Sequence, residues 1–116
     1  MDPRVHTAIL HMKENLHCEL SLEAMAQSVN LSSSRFRHLF KKETGTTPAQ
    51  YLKSLRMRKA RELVETTFLN IKQIMCSIGM RDKRHFAKDF ERTFGVTPTQ
   101  HRARYKGTES RASLRL

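Results

Sequence analysis

Apolar side chains recur every three or four residues along most of the chain, which is the spacing of amphipathic helices. The clearest case is the segment 47–66, in which the apolar residues are Leu52, Leu55, Ala60, Leu63 and Val64. Thr47 suits an N-cap, Pro48 suits the first helical position, and Gln50 completes a capping box. The pattern therefore predicts a helix of about 27 Å, long enough to hold two modules apart.

Three shorter helices are predicted before this central helix, each beginning at a residue that favours helix N-termini. Asp2 precedes the first helix, Ser21 precedes the second, and Ser32 or Ser33 begins the third. A short break at Asn30 separates the second helix from the third, and asparagine tolerates the left-handed conformation of a tight turn. Two short helices joined by such a turn indicate a helix-turn-helix unit.

The second half of the chain repeats the first half. Residues after the tight turn match at an offset of 50 and residues before it match at an offset of 49, so the second turn carries one extra residue. Matching pairs are Phe36 and Phe86, Phe40 and Phe90, Gly45 and Gly95, Pro48 and Pro98, Leu22 and Ile71, and Val29 and Ile78. Because caps, stops and apolar anchors all match, the sequence predicts two helix-turn-helix units in tandem.

The second helix of each predicted unit has an outward face, because its phenylalanines must turn inward. The outward side chains are Ser34, Arg37, His38 and Lys41 in the third helix, and Lys83, Arg84, Ala87 and Lys88 in the sixth. Arginine and lysine can donate to guanine O6 and N7, and alanine can contact the methyl group of thymine. We predict base contacts from all of these side chains except Lys41. Phosphate contacts are predicted for Ser33, Lys41, Arg56, Arg58 and Lys59.

The charge of the chain narrows the choice of partner. Lys and Arg total 22 against 11 Asp and Glu, for a formal net charge of +11. Such an imbalance favours nucleic acid or an acidic membrane surface as partner. No apolar run is long enough to cross a bilayer. The helix-turn-helix units favour double-stranded DNA as the partner, and no membrane is expected. The alternative is a protein that binds RNA or DNA without regard to sequence.

Several other functions are not expected. No catalytic motif or phosphate-binding loop is present, so we predict that the protein is not an enzyme. His11 and His17 are six residues apart, which is not the spacing of a metal-binding pair on a helix, and neither a metal nor a cofactor is predicted. Cys18 and Cys76 form no CxxC motif and indicate a reducing compartment. The expected location is the cytoplasm.

The segments FKKETGTTPAQYL and GMRDKRHFAKDFERTFGVTPTQHR resemble the DNA-binding domain of the AraC/XylS family of bacterial transcription regulators. The resemblance implies an all-α, seven-helix fold in which the third and sixth helices enter successive major-groove segments about 34 Å apart. It also implies sequence-specific binding of DNA in transcription regulation, as in an activator, with RNA polymerase as a candidate second partner. Met75 stands where the first unit has Ala26, which predicts that the helices of the second unit are pushed apart or re-tilted.

The predicted organisation has four parts. Residues 1–46 form the first helix-turn-helix subdomain, residues 47–66 a linker helix, and residues 67–105 the second subdomain. Residues 106–116 lose the apolar period and are predicted to be a flexible basic tail. The isolated domain is expected to be monomeric. The sequence leaves open whether the full protein has a separate effector or dimerisation domain.

Overall fold

The computed structural model describes the backbone of residues 1–114 and the side chains of residues 1–106. Within that part of the chain the helices are α1 (Pro3–Glu14), α2 (Leu22–Ser28), α3 (Ser33–Thr44), α4 (Pro48–Thr66), α5 (Ile71–Ser77), α6 (Lys83–Phe94) and α7 (Pro98–Leu114). The described residues contain no strand. The predicted seven-helix, all-α fold class is therefore confirmed. None of these helices is both long and apolar enough to cross a bilayer.

The chain divides into two compact units, residues 1–56 and residues 57–116, and the boundary falls inside α4. The sequence predicted a linker helix over residues 47–66, and α4 spans Pro48–Thr66. This helix contributes its first half to one core and its second half to the other. The buried α4 side chains are Leu52 and Leu55 in the first core, and Met57, Ala60 and Val64 in the second.

The helix starts follow the predicted caps. Asp2, Ser21, Ser32 and Asp82 each accept a hydrogen bond from a backbone amide in the first turn of the following helix. Ser32, and not Ser33, is therefore the cap of α3. Capping boxes form at Thr47 with Gln50, Asn70 with Gln73, and Thr97 with Gln100. Each cap satisfies an amide that has no partner within the helix, which stabilises the start of the helix.

In each unit, the second helix of the helix-turn-helix motif has its phenylalanines buried. Phe36 and Phe40 lie in the core of the first unit, with Phe40 edge-on to Tyr51 at 5.3 Å between ring centroids. Phe86 and Phe90 lie in the core of the second unit. This burial fixes the rotation of α3 and α6 about their axes, and so determines which side chains of each helix face outward.

The two tight turns have matching backbone hydrogen bonds despite their different sequences. The Leu31 amide donates to the Ala26 carbonyl at 3.0 Å, and the Met80 amide donates to the Met75 carbonyl at 2.9 Å. Asn30 and Gly79 both have positive φ, at 59° and 71°. Met75 is buried within the second core, so the unbranched side chain is accommodated without loss of the turn. The extra residue of the second turn is Arg81, which precedes the cap of α6.

The last helix extends into the segment for which the sequence predicted a flexible basic tail. The backbone of α7 continues to Leu114, where a flexible tail was predicted from residue 106 onward. The Lys106 side chain is held, since its Nζ donates to the Thr67 carbonyl at 3.2 Å and lies 3.4 Å from the ring centroid of Phe68. One glycine weakens a helix by only about 1 kcal/mol, so Gly107 does not end α7. The side chains of residues 107–116 lie outside the described part of the structure.

Candidate nucleic-acid interface

The outward face of α3 carries the side chains that the sequence predicted. Ser34, Arg37, His38 and Lys41 are exposed, whereas Phe36 and Phe40 are fully buried on the opposite side of the helix. Ser33, at the first position of α3, is half-buried beside the helix N-terminus. The exposed face therefore combines two cations with two side chains that both donate and accept hydrogen bonds, which suits the mixed edges of base pairs.

The outward face of α6 is more strongly basic. Lys83, Arg84 and Lys88 are exposed on it, and Ala87 is half-buried between them. Arginine and lysine both suit guanine, whose O6 and N7 atoms accept hydrogen bonds in the major groove. The α6 face therefore carries three exposed cations, where the α3 face carries two, Arg37 and Lys41.

A glycine in the left-handed conformation ends both α3 and α6. Gly45 follows α3 with a φ of 81°, and Gly95 follows α6 with a φ of 82°. This left-handed conformation is strained for side chains other than glycine and asparagine, so the stop is encoded locally.

The cations of α4 do not form one group. Arg58 is exposed, while Lys59 lies 3.4 Å from the Glu62 carboxylate in a solvent-accessible ion pair. Such surface pairs contribute little to stability. The phosphate contacts of Arg58 and Lys59 stay predictions.

Arg56, for which a phosphate contact was predicted, makes hydrogen bonds within the first unit. Its guanidinium donates from Nη2 to the Cys18 carbonyl at 2.8 Å and from Nε to the Leu16 carbonyl at 3.3 Å. Burial lowers the pKa of Arg56 from its ordinary value. Because these carbonyls lie in the loop between α1 and α2, Arg56 ties that loop to α4. The predicted phosphate contact at Arg56 stays a prediction beside this structural role.

A second arginine ties a loop in the second unit, and the sequence analysis did not single it out. The Arg102 guanidinium on α7 donates to the carbonyls of Val64, Thr67 and Leu69 at 3.1, 3.3 and 2.6 Å. These three carbonyls surround the end of α4 and the loop into α5. Arg102 thus fixes the entry to the second helix-turn-helix motif.

A polar cluster also joins α4 to α7. Glu65 accepts a hydrogen bond from Arg61 Nε at 3.1 Å, and its Oε1 lies 2.9 Å from His101 Nε2. Burial acts to raise the pKa of the Glu65 carboxyl, but the hydrogen bonds from His101 and Arg61 outweigh it and the pKa is lowered. His101 in turn lies 5.9 Å from Phe90 between ring centroids, so the cluster adjoins the packing of α6.

This cluster predicts a pH-dependent contribution to stability. Because the pKa of Glu65 is lower in the folded state, its contribution is complete above the unfolded pKa of about 4.3 and is lost as the pH falls through the folded value. Glu65→Gln is expected to lower the free energy of unfolding by about 1–2 kcal/mol at pH 7, with a smaller difference at pH 3. Urea denaturation at both pH values measures the effect.

The matched control is Glu62→Gln, which removes an exposed carboxylate from the same helix. Its ion pair with Lys59 is solvent-accessible, so the change is expected to stay within about 0.5 kcal/mol at pH 7. A Glu65→Gln difference of the same size at pH 7 and pH 3 contradicts the assignment of the stabilisation to the ionised carboxylate.

Each unit thus presents the second helix of a helix-turn-helix motif with an exposed, basic outer face. Two such motifs in one chain define a tandem helix-turn-helix DNA-binding protein. Residues 25–104 match the sequence profile of a helix-turn-helix domain of the AraC type. The chain therefore belongs to the AraC/XylS family of transcription regulators and corresponds to its DNA-binding domain.

Relatives and solved structures agree with this assignment. The chain is 32% identical over 105 residues to the HTH-type transcriptional regulator ArgR of Pseudomonas aeruginosa, covering 90% of this chain and 32% of that protein. It spans about a third of the length of the curated relatives that it matches.

Two crystal structures extend the comparison. An AraC-type transcriptional regulator from Chromobacterium violaceum has a TM-score of 0.83 and 32% identity, covering 89% of this chain and 92% of that one. The DNA-binding domain of AdpA, a global transcriptional factor solved in complex with a target DNA, has a TM-score of 0.86 and 26% identity. That match covers 90% of this chain and 95% of the AdpA chain.

Proposed function

We propose that the protein binds duplex DNA in a sequence-specific manner to regulate transcription, and that α3 and α6 each read a major-groove segment. The observation that carries the proposal is the repetition of one arrangement: in each unit a buried phenylalanine pair turns a basic, hydrogen-bonding face outward. The AraC-type family and the DNA complex of the AdpA domain support it.

The proposed base contacts are divided between the two helices. They come from Ser34, Arg37 and His38 on α3, and from Lys83, Arg84, Ala87 and Lys88 on α6. Arg37 and Arg84 are the principal readers, because a guanidinium can donate two parallel hydrogen bonds to one guanine.

Phosphate contacts are proposed from side chains at the edges of these faces. Lys41 lies at the end of the α3 face, Ser33 lies at the helix N-terminus, and Arg58 and Lys59 lie on α4. Such contacts position the protein on the duplex and add affinity that falls with salt, without choosing a sequence.

A compartment and a second partner for this activity are proposed as well. DNA binding of this kind involves no catalysis, and the cytoplasm is the compartment in which a bacterial regulator meets its DNA. RNA polymerase is the proposed second partner, and one copy of the domain is proposed to engage both groove segments of a site.

Selection from a random pool of duplexes tests the proposal. The expected product is a motif of two short elements whose centres lie about one helical turn, or 10–10.5 base pairs, apart. Binding that enriches no motif, and that depends only on salt, contradicts sequence-specific reading and supports general polyanion binding instead.

Arg37→Ala is expected to weaken binding to the selected site by about 1–3 kcal/mol and to relax the preference at one base pair. Arg37→Lys is the matched variant, because it keeps the positive charge but loses the paired donors of the guanidinium. If Arg37 reads a base, the lysine variant should also lose the preference at that base pair in a competition titration. Preserved preference with lysine indicates a phosphate contact.

A further inference from the structure

A buried carboxylate lies on α6, the helix proposed to read DNA in the second unit. Asp89 is only 3% exposed, whereas His85 and Arg92, which lie on either side of it along the helix, are open to solvent. Its Oδ2 lies 3.0 Å from His85 Nε2, and its Oδ1 lies 3.6 Å from Arg92 Nη1. His85 precedes Asp89 by four residues and Arg92 follows it by three, so all three share one side of the helix.

The first unit has no counterpart of this carboxylate. At the offset of 50, the residues of α3 that match His85, Asp89 and Arg92 are Arg35, Leu39 and Lys42. Leu39 is half-buried against the first core, and both cations beside it are exposed. This side of α3 therefore carries two cations with an apolar residue between them, whereas the matching side of α6 carries a buried carboxylate.

A buried carboxylate has two effects on cations of its own helix. It offsets their positive charge, and it restricts side chains that otherwise sample many rotamers. Since Arg92 lies beside the proposed reading face, its pairing with Asp89 removes one cation that could otherwise reach phosphate. Phosphate contacts are indifferent to sequence, so a unit with fewer of them binds every duplex more weakly and with less dependence on salt.

We infer that Asp89 is a positioning residue that holds His85 and Arg92 against α6 and away from phosphate, so that the second unit binds DNA with one phosphate contact fewer and with a weaker dependence on salt. This inference rests on the proposed function, because it assumes that α6 faces DNA. It assigns Lys83, Arg84 and Lys88 as the cations of α6 that contact the duplex.

The salt dependence of binding distinguishes this role from a purely structural one. Titrations at several salt concentrations, on the selected site and on an unrelated duplex, give the slope of log affinity against log salt. Asp89→Asn is expected to steepen the slope by about 0.9, as one more phosphate contact forms. Affinity for both duplexes should rise by about threefold at low salt, and the ratio of specific to unrelated affinity should stay unchanged, because a phosphate contact does not depend on sequence.

Glu91→Gln is the charge-matched control, because Glu91 is an exposed carboxylate on the same helix. It makes the same change in net charge without releasing His85 or Arg92. It is expected to leave the slope and the affinity ratio unchanged. Equal effects from Asp89→Asn and Glu91→Gln overturn the inference.

A second pair of variants tests the same point without altering a buried residue. Arg92→Gln is expected to leave the slope unchanged, because Arg92 is already paired with Asp89. Lys41→Gln, which removes a proposed phosphate contact of α3, is expected to reduce the slope by about 0.9. A reduction by Arg92→Gln overturns the inference. If the wild-type protein prefers no sequence, the proposed function fails. If it does prefer one and Asp89→Asn does not change the slope, only the role of Asp89 fails.

Discussion

Replacing Phe90 with alanine is expected to lower the free energy of unfolding of the second unit by about 3–5 kcal/mol. The Phe90 ring is fully buried and contacts three other rings, with centroid distances of 6.0 Å to Phe86, 4.7 Å to Phe94 and 5.9 Å to His101. Alanine leaves a cavity at the point where α6 and α7 meet, and the aromatic contacts are lost as well. Urea denaturation and hydrogen exchange of the α6 amides measure the loss.

Phe68→Ala is the matched control for this change, because Phe68 belongs to the same unit and is 92% exposed. Its described contact is with the Lys106 ammonium, which contributes about 0.5–1 kcal/mol at an exposed site. The control should therefore change stability by less than about 1 kcal/mol. Similar losses from the two variants contradict the assignment of Phe90 as the central anchor of α6.

The phenylalanine anchors, the caps and the glycine stops were all predictable, because each is encoded by residues close together in the chain. The box of Thr47 and Gln50 needs only a spacing of three, and the inward turn of Phe86 and Phe90 follows from a spacing of four. The exposed faces of α3 and α6 follow in turn, because a helix that buries one side must expose the other. Which bases these faces contact stays a prediction.

The arginine contacts were not predictable in the same way. Arg56 and Arg102 donate to backbone carbonyls 33 to 40 residues earlier in the chain, and carbonyls are present at every residue. A charged side chain on an amphipathic helix therefore gives no sign of whether it faces water or a loop. For this reason the sequence predicted only a phosphate contact for Arg56 and no role for Arg102.

The environment of Asp89 was predictable only in part. Its spacing of four from His85 and three from Arg92 is visible in the sequence and predicts side-chain pairing on a helix. Its burial is not visible, because an aspartate at that position suits an exposed surface equally well. The repeat offered the missing signal, since the matching residue of the first unit is Leu39, an apolar side chain.

Arg102→Met is expected to lower the free energy of unfolding of the second unit by about 2–4 kcal/mol, because it removes three charge-assisted hydrogen bonds and leaves partly buried carbonyls without their donor. Methionine keeps much of the apolar length, so the loss reports on the guanidinium. Arg81→Met, at an exposed position of the same unit, should change stability by less than about 0.5 kcal/mol. Hydrogen exchange should show early opening of α5. Equal stability of the two variants contradicts the proposal that Arg102 stabilises the loop between α4 and α5.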